Sequence, residues 1–397
     1  MTTRKSRILF VDDEPLILQG LRRSLRSMLG VWEMEFFDSA KSALNRMAEV
    51  RFDVMVTDMQ MPEMTGADLI NETRRLHPGT IRLILSGHAD RDLIMACVGS
   101  AHQCLAKPCD PELLKATVAR AACLQRTLQN TALNEHLTRL DRLPSVPTLY
   151  AEIVQRLQSP DVTMGDLAEV VAKDAAMTVG VLKLANSAFF GLGRTLSDPA
   201  EAISYLGSDV LQGLVVSHHI FQYCTPLAGD ESFLDNLMTH STRVSSLAGL
   251  IARAERMPNV QTGEALVSGL LHDIGRLILA AVYPKAYSLV NQRREPPISL
   301  GSREVQVFGA THAEVGGYLL GLWGLPDPVV DAVTLHHHPV AGNTMEFTAL
   351  TAVHVAEALL EKEAGEGEGI SFPYLDSLEL THRVPVWEDL LSSVAVA

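Results

Sequence analysis

Five side chains in the amino-terminal third have the types and spacing for phosphoryl chemistry. The stretch FDVMVTDMQMPEMTG, residues 52–66, runs Val54, Met55 and Val56 into a carboxylate, Asp58. An acid directly after a short apolar run belongs at the carboxyl end of a buried parallel strand, where open α/β sheets bind ligands. RILFVDDEP (7–15) ends in Asp12–Asp13, IRLILSG (81–87) in Ser86, and HQCLAKP (102–108) in Lys107 followed by a proline. Brought to one edge, these ends supply three carboxylates, one hydroxyl and one ammonium. Clustered carboxylates repel and need a cation, and hard oxygen ligands with room for water suit Mg²⁺. A carboxylate such as Asp58 can then attack phosphorus without a general base. Lys107 and the metal would spread the charge of the transferred phosphoryl group, and Ser86 would bind one of its oxygens.

The intervening segments can position these groups. PLILQGLRRSLRSML, SAKSALNRMAEV, GADLINETRRL and RDLIMACVGS read as helices between the apolar runs. Strands alternating with helices at this spacing predict a doubly wound, parallel, five-stranded α/β sheet over residues 1–125. Asp110 and Pro111 start a further helix, and no proline or glycine interrupts the residues up to 140. Residues 126–142 are therefore expected as a helical connector, pairing with a second copy or packing on its own chain. LPSVP (143–147) breaks that helix. From there to residue 397 the pattern is nearly all helical, with short polar breaks, which predicts an all-α domain. GEGEG (365–369) reads as an exposed loop, and VPVWEDLLSSV as a terminal helix docking through Trp387 and Leu391.

Ten of the fourteen histidines lie after position 217, so the helical half concentrates a second chemistry. LLHDIGRL (270–277) sets His272 beside Asp273 in an apolar helical segment. His240 precedes that pair by a helix, and His312 opens HAEVGGYLLGLWGLP. LHHHP stacks His336, His337 and His338, and VHVAEALL adds His354 and Glu357. Imidazoles and carboxylates gathered from several helices are what a buried metal site in a bundle requires, with Mn, Fe or Zn as candidate ions. A buried histidine hydrogen-bonded to a carbonyl is the competing reading for each one taken singly.

Composition narrows the field. The net charge of −14 argues against nucleic acid as the main partner. No run of about 18 uninterrupted apolar residues predicts a membrane span, and the start, MTTRKSRILFVDDE, is unlike a signal peptide. Cysteines 97, 104, 109, 123 and 224 show no metal-ligand pairing and suggest reduced thiols in the cytoplasm.

Residues 5 to about 125 resemble the receiver domain of bacterial two-component response regulators. The acidic pair matches Asp12–Asp13, the phospho-acceptor Asp58, the switch hydroxyl Ser86, and the lysine–proline step Lys107–Pro108. The resemblance implies a flavodoxin-like fold and a sensor histidine kinase or small phosphodonor as partner. It also implies Mg²⁺ held by the acidic pair and Asp58, with the backbone carbonyl of Gln60 as a further ligand. One position departs: Cys104 stands where the family carries a switch aromatic, so the signal is expected to pass through Ser86 and the loop 87–91.

Residues 143 to about 360 resemble an HDOD domain, a helical module related to metal-dependent HD phosphohydrolases. LPSVP, KDAAMTVGVLKLANSAFFG with Asn186–Ser187, DPAEAISYLG, LLHDIG and LHHHP carry the likeness. It implies a non-catalytic signalling output acting on an unidentified protein partner or through a homodimer. The phosphohydrolase pattern maps onto His240, His272–Asp273 and Glu357, the last a glutamate where aspartate is usual. His312, His336 and His337 match extra histidines of the branch that cleaves cyclic di-GMP. That branch's Gly–Tyr–Pro element is replaced by Pro339-Val340-Ala341-Gly342, and its lysine by Arg276. The alternative expectation is a receiver-gated metal phosphohydrolase acting on cyclic di-GMP or a nucleotide.

Overall fold

The structure is a computed structural model. It describes residues 5–77, 79–86, 101–129, 148–157, 162–173, 177–178, 181–182, 185, 196–228, 231–292, 299–342, 345–364 and 369–394. The loop 87–91, the connector beyond residue 129, LPSVP, Asn186–Ser187 and most of GEGEG lie outside these residues, as do the side chains of Ser86 and Cys104. The chain divides into two compact units, one of Met1–Thr148 with Gly321–Gly324 and the other of Leu149–Leu320 with Leu325–Ala397.

Five strands form the first unit: β1 (Ser6–Val11), β2 (Trp32–Phe37), β3 (Val54–Asp58), β4 (Ile81–Ser86) and β5 (Gln103–Ala106). All pair in parallel, in the order β2-β1-β3-β4-β5. The chain thus reverses its winding at β1, and the crevice opens where β1 and β3 end in acids. β3 is buried along its whole length, as a central strand covered on both faces must be. β2, WEMEFF, is one of the two edge strands; only Trp32 is buried, and its charges blunt the exposed edge. Glu33 and Glu35 interrupt its apolar pattern.

Helices α1 (Pro15–Ser24), α2 (Ala40–Glu49), α3 (Gly66–Leu76) and α4 (Pro111–Gln129) accompany the sheet. α3 starts at a capping box in which Thr65 and Asp68 satisfy each other's backbone N–H groups.

The second unit is helical throughout its described residues. Its early helices are α5 (Thr148–Leu157), α6 (Met164–Val171), α7 (Pro199–Leu206) and α8 (Ser208–Ala228). The central ones are α9 (Glu231–Ala254), α10 (Asn259–Leu271), α11 (Ile274–Val282), α12 (Pro284–Asn291) and α13 (Leu300–Phe308). α14 (His312–Leu322), α15 (Asp327–Leu335), α16 (Ala349–Glu363), α17 (Phe372–Ser377) and α18 (Val384–Asp389) complete it. α10 and α16 lie at the centre; α16 is buried from Ala349 to Leu360. Trp387 caps this core at 0% exposure, with its indole N–H donating to Glu255 at 2.9 Å. Leu391 is half-buried in a 3₁₀ turn that follows α18. Asn259–Val282 is the one described stretch long and apolar enough to cross a membrane, but 83% of its most apolar window is buried inside the unit.

Two glycines set the helix spacing around the histidines. A Cβ at Gly269 would lie 2.7 Å from the Cα of Ser245, so α10 touches the backbone of α9. A Cβ at Gly275 would lie 1.9 Å from the carbonyl oxygen of His312, so α11 meets α14 just as closely. The segment expected as continuous helix breaks between these glycines. α10 ends at Leu271 and α11 starts at Ile274, leaving His272 and Asp273 in the turn.

Gly275→Ala therefore has no room and should cost about 1–3 kcal/mol of stability in the helical unit. Gly20→Ala, mid-helix in α1 with open space around it, should stabilise its own unit by about 0.5–1 kcal/mol. Urea unfolding of the two full-length variants checks both signs; an unchanged transition for Gly275→Ala would refute the close approach.

Candidate functional site

At the carboxyl edge of the sheet, β1 leads into Asp12 and β3 ends in Asp58, the two carboxylates 1% and 7% exposed. Lys107 reaches across from the end of β5. Its ammonium donates to Asp12 Oδ2 at 2.7 Å and to Asp58 Oδ1. Burial lowers the Lys107 pKa, but the two carboxylates outweigh it and leave it raised. The other Asp12 oxygen accepts from the Glu14 N–H at 3.0 Å, and Asp58 Oδ2 accepts from the Gln60 N–H at 2.8 Å. Asp13 lies next in the chain, half-buried. The Lys107–Pro108 peptide is cis. A Cβ at Gly66 would lie 1.9 Å from the Asp58 carbonyl oxygen, so the loop after β3 folds tightly back over the aspartate.

Two buried carboxylates and a neighbouring third face a single ammonium. That is an oxygen-rich site with excess negative charge, and it fits a hard divalent cation. Asp12, Asp13 and Asp58 are the side chains that could hold it. Ser86 ends β4 one residue beyond Leu85, which pairs with Asp58, and itself pairs with Ala106 of β5.

In the helical unit the structure brings together seven of the nine histidines and carboxylates singled out above: His240, His272, Asp273, His312, His336, His337 and Glu357. Glu357, from α16, accepts from His240 Nε2 at 2.9 Å, and the same oxygen lies 3.1 Å from His272 Nε2 without hydrogen-bond alignment. Asp273 Oδ2 lies 3.6 Å from that nitrogen, and its Oδ1 3.2 Å from His312 Nε2. His337 Nε2 stands 3.2 Å from His312 Nε2. Two groups of possible metal ligands result, His240–His272–Asp273 and His312–His336–His337, each with its donor atoms within 4.8 Å of one another.

The hydrogen bonds set the tautomers. His272 Nδ1 donates to the Gly269 carbonyl and His336 Nδ1 to the Val333 carbonyl, both at 2.8 Å and both one turn back in the chain. Nε2 of each is left buried with no aligned hydrogen-bond partner; that of His272 faces the Glu357 and Asp273 carboxylates, and that of His336 is a bare lone pair. Such an orphaned acceptor is costly unless something electrophilic meets it. This fits a transition metal held by nitrogen and carboxylate ligands.

His354 does not join the pocket; Nδ1 donates to the His336 carbonyl at 2.7 Å and Nε2 accepts from the Ser371 N–H at 2.9 Å, so both nitrogens are spent on structure. His338 is exposed.

The pKa directions show a pocket short of positive charge. Burial lowers the His272 pKa, yet Asp273 and Glu357 outweigh it and lift it to about 9. Burial likewise opposes protonation of His312, and Glu304 with Asp273 overcomes it. His336 and His337 go the other way: burial and their histidine neighbours push His336 well down and His337 to about 3. Burial raises the carboxyl groups, but Arg276, His272 and His312 hold Asp273 well below the usual range, and His272 and His240 do the same for Glu357. Without a cation, protons on the imidazoles supply the missing charge.

Two further side chains complete the pocket; Glu304 escaped the sequence reading, and Arg276 was expected only as the counterpart of a lysine after the His272–Asp273 pair. Glu304, 0% exposed, accepts from both the backbone N–H and Nδ1 of His312, at 2.8 and 2.7 Å. It turns the His312 Nε2 into the pocket, as a carboxylate behind a metal-binding imidazole does. In sequence, Arg303–Glu304 reads as a surface charge pair, and nothing local marks it otherwise. Arg276 is the other. Its guanidinium donates to Asp273 Oδ2 at 2.7 Å, to the Tyr287 hydroxyl at 3.2 Å and to Asn291 Oδ1 at 3.4 Å.

Known proteins resemble both halves. The response regulator receiver domain family matches residues 8–119, and the HDOD domain family residues 143–339. The chain is 29% identical over 204 residues to an uncharacterized protein of Treponema pallidum, which covers 50% of this chain and 38% of that one. It is 30% identical over 220 residues to the hydrogenase transcriptional regulatory protein HoxA of Cupriavidus necator, over 52% of this chain and 43% of that protein. The chain thus spans less than half the length of these relatives. Among solved structures, an HDOD domain protein of unknown function from Geobacter sulfurreducens aligns at TM-score 0.50 and 24% identity. It covers 67% of this chain and 98% of its own. A putative phosphohydrolase from Shewanella amazonensis aligns at TM-score 0.50 and 19% identity, over 66% and 94%. These two share the fold. With the acceptor edge in the first unit and the histidine pocket in the second, the chain belongs among regulators that join a receiver domain, residues 8–119, to an HDOD domain, residues 143–339.

Proposed function

We propose that the chain is a phosphorylation-controlled response regulator in which Asp58 takes a phosphoryl group from a sensor histidine kinase or small phosphodonor. Residues 126–142 then connect the receiver to the output domain. The convergence of Asp12, Asp58 and Lys107 on one sheet edge is the observation that carries this reading. An Asp58 oxygen attacks phosphorus as the bond to the donor breaks, and the donor leaves with the electron pair. Lys107 stands within hydrogen-bond reach of that oxygen and can follow the developing charge on the phosphoryl group. Mg²⁺, held by Asp12, Asp13, Asp58 and the Gln60 carbonyl, would supply further positive charge when bound.

For the HDOD domain the favoured output is interaction rather than catalysis. A catalytic site needs groups free to hold phosphate in line. Arg276, half-buried beside the pocket, is engaged by Asp273, Tyr287 and Asn291 instead. The pocket itself would still hold Mn, Fe or Zn through His240, His272, Asp273, His312, His336, His337 and Glu357. That ligand set is what favours the second reading, a metal phosphohydrolase acting on cyclic di-GMP or a nucleotide.

Acetyl phosphate with Mg²⁺ should add one hydroxylamine-sensitive phosphoryl group to the wild type and none to Asp58→Asn, as read by intact mass. Uptake by the Asp58→Asn protein would defeat the acceptor assignment.

Mn²⁺ or Fe²⁺ at a hundredfold excess over Kd should stabilise the helical domain by about 2.7 kcal/mol. That corresponds to a rise in Tm of roughly 5–10 °C, absent from the His272→Ala–Asp273→Ala protein. Equal melting of the two proteins would remove the metal site. Cyclic di-GMP hydrolysis by wild type and not by the double variant would instead establish the phosphohydrolase reading.

A further inference from the structure

Resting on the reading of the histidine pocket as a metal site, we infer that its ion sits at His312, His336 and His337, with Oδ1 of Asp273 as the fourth ligand. The donor set is one for four-coordinate Zn²⁺. Two ligand groups compete for the ion, His240–His272–Asp273 and His312–His336–His337. Asp273 stands between them, its Oδ2 toward His272 and its Oδ1 toward His312. Those two oxygens are not equivalent. Oδ2 accepts from the Arg276 guanidinium at 2.7 Å. A guanidinium keeps its charge, so an ion at Oδ2 would lie against a fixed cation. In the same group, Oε2 of Glu357 accepts from His240 Nε2 at 2.9 Å and has His272 Nε2 at 3.1 Å. Both carboxylate oxygens that face the first group are thus engaged.

The second group is the opposite case. His312 Nε2 lies 3.2 Å from His337 Nε2 and 3.2 Å from Asp273 Oδ1. A tetrahedral zinc ion with bonds of about 2.0–2.1 Å spaces its ligand atoms about 3.3 Å apart, so both separations suit edges of such a site. His336 supplies the remaining nitrogen. Its ring is 1% exposed, Nδ1 donates to the Val333 carbonyl, and Nε2 has no hydrogen-bond partner. The donor nitrogens of the three rings lie within 4.8 Å of one another. His312 Nδ1 is held from behind by Glu304 at 2.7 Å. Two of the three imidazoles therefore carry the outward hydrogen bond that aims a ligating nitrogen inward. Three imidazoles with one carboxylate oxygen suit zinc, whereas Mg²⁺ and Mn²⁺ favour sets dominated by oxygen.

Zn²⁺ titration of the full chain at neutral pH, with bound metal counted by elemental analysis, tests the placement. Wild type and His240→Ala should bind zinc alike. Losing an outer partner costs about 10–100-fold in metal affinity and losing a ligand costs more, so His336→Ala and His337→Ala should each bind at least about 100-fold more weakly. Loss of zinc from a folded His240→Ala protein, or wild-type affinity in His337→Ala, would overturn the placement. No zinc in wild type would overturn the metal reading beneath it. Should a variant fail to fold, wild type alone still decides. With ¹⁵N-labelled histidine and ¹¹³Cd²⁺ as the probe ion, three imidazole resonances should split through coupling to the metal. Two would put the ion at His240 and His272, and five would show both groups loaded; either result would overturn the placement.

Discussion

Asp12 and Asp58 lie side by side at the edge of a buried sheet, and Lys107 between them supplies the only positive charge the described residues place there. The same constraint governs the helical domain, where Asp273, Glu357 and Glu304 are shut away from water. Carboxylates out of water need opposite charge within reach, because desolvation otherwise outweighs every contact they make. The two halves of the chain meet this demand differently. The receiver uses one half-buried, mobile-headed lysine and leaves an opening for a hard cation. The helical domain uses a fixed arginine and protonatable imidazoles.

That difference has consequences for function. A lysine is a compact charge on a flexible stem, and it can follow a phosphoryl group that arrives at Asp58. Arg276 is a planar fork tied at three points, so it holds Asp273 in one orientation and commits three of its five N–H donors inside the unit. Replacing lysine by arginine beside a histidine–aspartate pair therefore preserves charge while removing reach.

The helix contacts that assemble the pocket depend on small residues. Gly269 lets α10 rest on Ser245 of α9, and Gly275 lets α11 rest on the His312 carbonyl of α14. Between them the chain turns at His272–Asp273, so the pair faces both neighbours at once. Side chains at either glycine would separate the helices, and ligands from different helices tolerate little separation.

Much of the receiver was legible in the sequence because its signals are local. An apolar run ending in an acid or a lysine marks a buried strand and its functional end together, and Asp12, Asp58 and Lys107 needed only the parallel-sheet rule to be brought to one edge. β2 was not legible in this way, since an edge strand carries charges that break the apolar pattern. For the helical domain the sequence by itself determined which residues could ligate, because histidine enrichment and the His272–Asp273 pair are visible without coordinates. Only the tertiary structure decided which of them meet. His354 carries the same imidazole as His336, yet both its nitrogens are spent on backbone groups, whereas His336 keeps one lone pair free inside the pocket. Glu304 looks like a surface charge in one dimension and supports His312 in three, while Arg276, legible beside the His272–Asp273 pair, proves to clamp Asp273. The physical reason is that hydrogen-bond partners in a helical bundle come from distant helices, and no local pattern records which nitrogen, or which carboxylate oxygen, the packing leaves unpaired.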